Sequence, residues 1–333
     1  MAAHKTNEEN VARLAIVTRT KNRPVLLKRA LESIVDQSVQ DYVHIVLNDG
    51  GDQRQFDEVI SQLPDARRVV LNNKTSVGLI PALNQAIRAC KSEYICILDD
   101  DDSWHEDRVK LVLDYFDKHP ATKACVVKMD IVVEDIVDNE VVRIDQYLHP
   151  DSGDGEISLF KQCARNYISN GIVTYRKAVY DELGGYDENL ETAEDWDFGV
   201  RLLSRYDVDL IPSVESLFFY HQRPDIKDEN GNSVHAGIHD QEVAINRVRN
   251  KYLREDIMNG RYGVGCIMNQ VVADMSNVVR IEGHINRAEE RIVNRVDNIY
   301  AMQKRTHDKL LHSLVARAIN RSGLKKYFKK ESH

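Results

Sequence analysis

Positive charge, paired cysteines, long apolar runs and glycine-rich loops are all in short supply in this chain, and each shortage excludes a class of function. Lysine and arginine number 45 against 53 aspartates and glutamates, a formal net charge of −8. That balance argues against a general nucleic-acid binder, although the last stretch is locally basic. The five cysteines, Cys90, Cys96, Cys125, Cys163 and Cys266, are scattered and odd in number, which excludes a zinc-knuckle pattern and suits a reducing compartment. No run of about 18 apolar residues is present to span a bilayer, and Met1 to Asn10 lacks the apolar core of a signal peptide, so a cytoplasmic protein is expected. Neither a Gly-x-Gly-x-x-Gly fingerprint nor a Walker loop occurs, so any nucleotide must be held in another way.

What is present is an ordinary globular composition, 42% hydrophobic over 333 residues, enough for one large α/β domain and an appendage. Its most informative stretch runs from Tyr94 to Trp104, where an apolar strand stops in four successive aspartates, Asp99 to Asp102. In open α/β sheets ligands collect at the carboxyl ends of the strands, which is where this block sits. Two like charges about 4 Å apart repel by roughly 4 kcal/mol at an effective dielectric near 20, so such a turn is unfavourable unless something positive binds. A hard divalent cation carrying a phosphate ester answers that need. The plainer reading is a solvated helix start: Ser103 and Glu106 form a capping box ahead of Val109, Leu111, Val112, Leu113 and Phe116.

Taken in order, Leu14 to Val17 is a strand running into the polar loop Thr18 to Pro24, and apolar residues at Leu27, Ala30, Leu31, Ile34 and Val35 then give a helix face. A second strand, Val43 to Leu47, ends in Asn48-Asp49-Gly50-Gly51-Asp52, where Asp49 either bonds a base or ribose edge or closes an Asx turn. With a strand at Arg68 to Leu71 and the aspartate strand, four strands separated by helices predict a doubly wound or Rossmann-like sheet over the first 120 residues. Past Pro120 the runs turn β-rich, with Ile131 to Val137 and Glu140 to Ile144 about an Asp138-Asn139 turn reading as a hairpin, so the sheet becomes mixed. Tyr167 to Tyr175 reads as strand, Arg176 to Leu183 as a short helix turned by Gly184-Gly185, and Glu194-Asp195-Trp196-Asp197 as a helix start whose acids could simply serve the dipole. Ser216 to Tyr220 is a strand ending at His221, and His235 and His239 form a weaker pair on a glycine-interrupted loop.

Together these residues resemble the family-2 glycosyltransferases, inverting sugar-nucleotide enzymes of the A-type glycosyltransferase fold. The resemblance covers roughly Leu14 to Arg223 and rests on motifs in the family's order: Thr18 to Pro24, Asn48 to Gly51, Gly78 to Asn84, Leu98 to Asp102, Leu183 to Asp187, and Glu194 to Asp197. It implies an α/β fold, a Rossmann-like mixed sheet flanked by helices, and a nucleotide-sugar donor, UDP- or dTDP-linked by preference. It places the nucleotide on Thr18, Arg19 and Asp49 and on Asp99, Asp100 and Asp101. A Mn²⁺ or Mg²⁺ cofactor falls to Asp101 with His221, His235 or His239 being alternatives to the latter. Asp195 matches the catalytic base. A metal clamp on the leaving diphosphate replaces a general acid, so one carboxylate suffices to deprotonate the acceptor and the anomeric centre inverts. Trp196 and Tyr186 are candidates for stacking on sugar rings or for the core.

The organisation expected is a flexible amino terminus (1–12), a catalytic domain (13–240) with a nucleotide-binding half (13–120) and an acceptor half (121–240), and a helical carboxyl-terminal region (241–333). In that last region Met275, Val278, Ile285, Ile292, Val296 and Ile299 lie near heptad spacing, broken by Glu282 and Glu289, and offer residues 266–302 to the catalytic domain, a second copy or a partner protein. Residues 310–330 mix an apolar stripe with cations and aromatics, the pattern of a membrane-surface helix or of a solvated basic tail. The expected role is transfer to a glycan or lipid-linked glycan in cell-surface polysaccharide synthesis, peripheral to the inner face of the cytoplasmic membrane. Two rivals remain: a sugar-phosphate nucleotidyltransferase, which would want glycines in the first loop, and a non-catalytic glycan-binding or scaffold protein on the same fold.

Overall fold

A computed structural model describes residues 12–137, 140–152, 157–226, 230–231 and 238–321. Strand and helix alternate first, as the apolar spacing predicts: β1 (Leu14–Thr20), α1 (Pro24–Val35), β2 (Tyr42–Asp49), α2 (Gln53–Gln62), β3 (Arg68–Asn73), α3 (Leu79–Arg88) and β4 (Tyr94–Ile97). The apolar runs of β1 and β4 are buried on both faces, the mark of central parallel strands. Pro24 opens α1, whose Leu26, Leu27, Ala30, Leu31 and Ile34 form one buried stripe. There follow β5 (Ser103–Trp104), α4 (Arg108–Lys118), β6 (Ala124–Val126), β7 (Met129–Val137), β8 (Glu140–Leu148), α5 (Leu159–Ala164), β9 (Val173–Arg176), α6 (Lys177–Leu183), α7 (Glu194–Leu203), β10 (Asp209–Leu210), β11 (Phe218–Gln222), α8 (Ile238–Met258) and α9 (Val264–Arg321).

Seven strands form one sheet in the order β10-β6-β9-β4-β1-β2-β3. β1 pairs in parallel with β2 and β4, and β2 with β3, so the carboxyl ends of β1, β2 and β4 share one edge. β9 runs antiparallel between β4 and β6, which makes the sheet mixed. A second sheet, ordered β5-β11-β7-β8, carries the expected hairpin of β7 with β8, broken by a register shift at Val133/Glu134. The Asp138-Asn139 turn lies outside the described residues.

Local expectations are corrected in two places. Ser103 does not cap a helix: it pairs in β5 with Phe219 of β11, and α4 starts only at Arg108. The stretch read as strand from Tyr167 is strand only over β9, because Asn166 and Asn170 ahead of it turn their side chains to the acidic start of α7. The chain divides into compact units at Met1–Asn269 and Gln270–His333. α8 stays with the first unit because Lys251 donates to Asp187 and Asp197 and Val248 is fully buried. The second unit is described as the continuation of α9, on which Ile285, Ile292, Val296 and Ile299 are each more than half exposed.

Candidate active site

Four segments reach the carboxyl edge of the parallel strands, and packing decides which of their polar groups can meet a ligand. On β1, Thr18 is fully buried and its hydroxyl pairs with His44 Nε2 at 3.0 Å, so it faces the core and not a nucleotide. Burial pushes the His44 ring down to about 3, which keeps it neutral in that pair. Arg19, next on the strand, is part-exposed and lies 3.9 Å from Asp99. Asp49 closes β2 with both oxygens engaged: Asn73 Nδ2 (2.8 Å), Ser76 Oγ (2.7 Å), and the Val77 (3.0 Å) and Gly78 (3.2 Å) amides donate to them. Burial opposes ionisation there, but those four bonds hold the carboxyl below its usual range. Asp49 therefore shapes the loop before α3, and a base or ribose edge would have to displace one of its donors.

The four aspartates after β4 differ sharply from one another. Asp100 is enclosed between Thr20 Oγ1 (2.6 Å) and Arg23 Nη1 (3.0 Å). Asp101 meets Arg223 Nη2 at 2.6 Å and Arg23 at 3.5 Å. Asp102 is buried and accepts the His221 backbone amide at 3.0 Å. Asp99 is the most open, with 35% of its side chain exposed, and the enclosure of the cleft raises its carboxyl to about 6, opposed by Arg19 and reinforced by Asp101, Asp100 and Asp195.

Asp195, on the first turn of α7, approaches the same mouth. Its Oδ2 accepts from Asn166 Nδ2 at 2.7 Å and its Oδ1 from the Trp196 amide at 2.8 Å, so the carboxylate is held in one orientation. Burial raises its pKa against those bonds. Beside it the buried Glu194 is pushed up to about 8, by burial first and then by Asp195, with Arg19 opposing and Asp99 adding. Arg19, Asp99, Glu194 and Asp195 thus share one electrostatic neighbourhood, although they come from three separate segments, β1, the loop after β4 and α7. Trp196 and Tyr186 are core residues: the indole donates to the Gln162 carbonyl at 2.5 Å, and the phenol to Asn170 Oδ1 at 2.7 Å. Through Asn170, Tyr186 still reaches Glu194.

The expected metal set is brought together only in part. Both ring nitrogens of His221 are engaged, Nδ1 with Glu134 Oε2 and Nε2 with Ser103 Oγ, each at 2.7 Å, which leaves no ring nitrogen for a metal. His235 and the side chain of His239 lie outside the described residues. Among the described residues no group of three or more carboxylates, imidazoles or thiols could hold an ion. A Mg²⁺-like cation nevertheless needs only one or two carboxylates when the substrate's phosphates supply the rest. Asp99, desolvated yet open and crowded by like charge, fits such a site together with Asp101.

Several groups at this edge carry no role in the sequence reading. Thr20, Arg23, Arg29, Glu134, Arg223, Asn166 and Asn170 all touch the acids just described or their partners. Glu134 is a buried charge on β7, but Asp130 and Asp135 on the same strand hide it among other acids in the sequence. No helix among the described residues is long and apolar enough to cross a membrane.

Comparison with known proteins shows the family and the fold. Residues 15–184, just over half of the chain, match Glycosyl transferase family 2. WcaA of Escherichia coli strain K12, which carries the name of a colanic acid biosynthesis glycosyl transferase, is 27% identical over 194 residues, 58% of this chain and 67% of its own. Two solved structures share the A-type fold at 16% identity. Staphylococcus aureus TarS 1–349 in complex with UDP-GlcNAc has a TM-score of 0.56 over 80% of this chain and 72% of that one. The mannosyltransferase PcManGT of Pyrobaculum calidifontis, in complex with GDP-Man and Mn²⁺, has 0.53 over 73% and 65%.

Proposed function

The chain belongs to glycosyl transferase family 2, and from that premise we propose that it moves a sugar from a nucleotide donor, seated at the carboxyl ends of β1 and β4, to an acceptor hydroxyl facing Asp195. The observation that carries this reading is the shared electrostatic neighbourhood of Asp99, which lies 3.9 Å from Arg19, and Asp195. Asp195 takes the proton of the acceptor hydroxyl, its carboxylate aimed by Asn166 and the Trp196 amide. Attack from the face opposite the leaving diphosphate inverts the anomeric centre. Arg19 is the part-exposed cation beside the departing negative charge. A divalent cation, Mn²⁺ or Mg²⁺, held by Asp99 and Asp101 would supply Lewis-acid stabilisation of that diphosphate. The support for metal use is the fit of the open, crowded Asp99 and the Mn²⁺ named with one fold neighbour.

The acceptor is proposed to be a glycan or lipid-linked glycan of the cell surface, in line with the name of the E. coli relative. The end of α9 suits such a substrate. Leu310, Leu311, Leu314 and Val315 are exposed, and the sequence from 304 to 317 holds Lys304, Arg305, Lys309 and Arg317 but a single carboxylate, Asp308. That combination matches an interfacial helix on an anionic membrane. Residues 322–330 of the expected basic tail lie outside the described residues.

Calorimetric titration with UDP, dTDP, GDP and CMP, with and without Mn²⁺, tests the donor site. Binding of one nucleotide, strengthened by Mn²⁺ and lost in Asp101→Ala, is the expected result. With the matching sugar nucleotide, Asp195→Asn should lower kcat by about 10²- to 10⁴-fold, the usual contribution of a general base, and leave nucleotide affinity near wild type. A folded protein that binds none of the four would move the function to glycan binding or scaffolding.

A further inference from the structure

Glu134 belongs to none of the motifs that mark the donor site, yet three consecutive residues of that site hang from it. It sits on β7 of the second sheet, at the register shift after Val133, with 2% of its surface exposed. Its Oε2 accepts from Arg29 Nη1 at 2.6 Å and from His221 Nδ1 at 2.7 Å, and its Oε1 from Arg223 Nη1 at 2.5 Å. Burial opposes its ionisation, but the bonds from His221 and Arg29 hold its carboxyl down to about 2.

Each of those partners ends on the aspartate block. Arg223 Nη2 donates to Asp101 Oδ2 at 2.6 Å, and Arg29 Nη2 donates to the Asp101 carbonyl. His221 gives its amide to Asp102, and its Nε2 pairs with the Ser103 hydroxyl at 2.7 Å. A buried ionic cluster of this kind contributes little to stability compared with apolar residues of the same volume, because desolvation offsets the attraction. What it supplies is a single geometry: the planar fork of Arg223 matches both carboxylates only when Asp101 lies where it is found.

We infer that Glu134 is the positioning residue of the donor site, fixing Asp101, Asp102 and Ser103 through Arg223, Arg29 and His221, so that the second sheet sets the affinity for the nucleotide diphosphate. The register shift at Val133/Glu134 is the local device that aims this side chain, as bulges do beside active sites. This assignment rests on the donor-site reading above and accounts for His221 without a metal-ligand role.

The test uses the full chain as wild type, Glu134→Gln, Arg223→Lys and the double variant, titrated calorimetrically with UDP, dTDP, GDP and CMP in the presence of Mn²⁺. Folding is checked by circular dichroism and thermal melting. Each single variant should weaken the nucleotide that wild type binds by about tenfold or more. The double variant should bind no more weakly than the worse single one, because both act through Asp101. A purely structural role lowers the melting temperature and leaves affinity alone, so a folded Glu134→Gln that binds within about twofold of wild type overturns the inference. If Glu134→Gln does not fold, Arg223→Lys, which keeps the charge, is judged by the same criterion. Wild type that binds none of the four nucleotides sinks the donor-site reading and this assignment with it; wild type and variants that bind alike sink the assignment only.

Discussion

Glu194 and Asp195 show how much of this site is decided at single residues. Neighbours in sequence, they are desolvated together, and burial, reinforced by Asp195, raises the Glu194 carboxyl to about 8 against an ordinary 4.5. A carboxyl whose folded pKa lies above its unfolded value binds a proton in the folded state where the unfolded chain has released it. Its effect on stability is therefore most favourable below the unfolded pKa and is lost as pH rises through the folded one. For Glu194 that window runs from 4.5 to about 8. Denaturant midpoints should thus fall between about pH 5 and about pH 8 more steeply in wild type than in Glu194→Gln. Equal slopes would show that Glu194 ionises normally. The residue types at this pair were legible from the sequence, as were Asp99 and Asp101; the burial that separates their roles was not. Thr18 and Asp49 illustrate the difference, since both stand at strand ends, yet one faces His44 in the core and the other has four donors from its own loop.

At the scale of elements, the turn between α6 and α7 joins the two acids to the rest of the fold. Asn84 of α3 accepts from the Tyr180 hydroxyl (2.7 Å) and the Tyr186 amide (3.1 Å) and donates to the Tyr186 carbonyl (2.9 Å), while Tyr186 in turn holds Asn170. The chain passes this point only with Gly184 and Gly185 at φ +79° and +75°. A Cβ on Gly185 would stand 2.8 Å from the Tyr180 hydroxyl, whereas one on Gly184 would meet nothing within 4 Å. Gly184→Ala should therefore cost about 1 kcal/mol, the left-handed penalty alone, and Gly185→Ala about 2–3 kcal/mol because the clash is added. Urea denaturation of both variants checks the order, and equal losses would mean that the turn relaxes around the new methyl. The glycine pair itself was visible as a helix stop. Its junction with Asn84, about a hundred positions earlier, was not, because nothing in local periodicity reports a partner at that distance.

For the whole molecule, charge is distributed against its net sign. The chain carries −8 overall, yet guanidiniums from Arg19, Arg23, Arg29 and Arg223 surround the aspartate block and Glu134, and the end of α9 is basic. On the membrane reading, each cation near an anionic surface is worth about 1 kcal/mol, so reversing Lys309 and Arg317 to glutamate should weaken sedimentation with phosphatidylserine vesicles by at least about tenfold. Nucleotide binding should be unaffected, since it belongs to the first unit. Equal binding to phosphatidylserine and phosphatidylcholine vesicles, or no loss in the variant, would leave α9 to another partner.

The sequence by itself determined the alternation of strand and helix, the mixed character of the main sheet, and the order of the acidic motifs at strand and helix ends. Those features follow from side-chain periods of 2 and 3.6 and from which residues end an element, information held within a dozen neighbouring positions. Only the tertiary structure decided which acids are open and which are tied. Glu134 meets Arg223, Asp101 meets Arg223 and Asp102 meets His221 across separations of 89, 122 and 119 residues. Those meetings are created where the second sheet and the aspartate block after β4 come together, and no stretch of chain contains them.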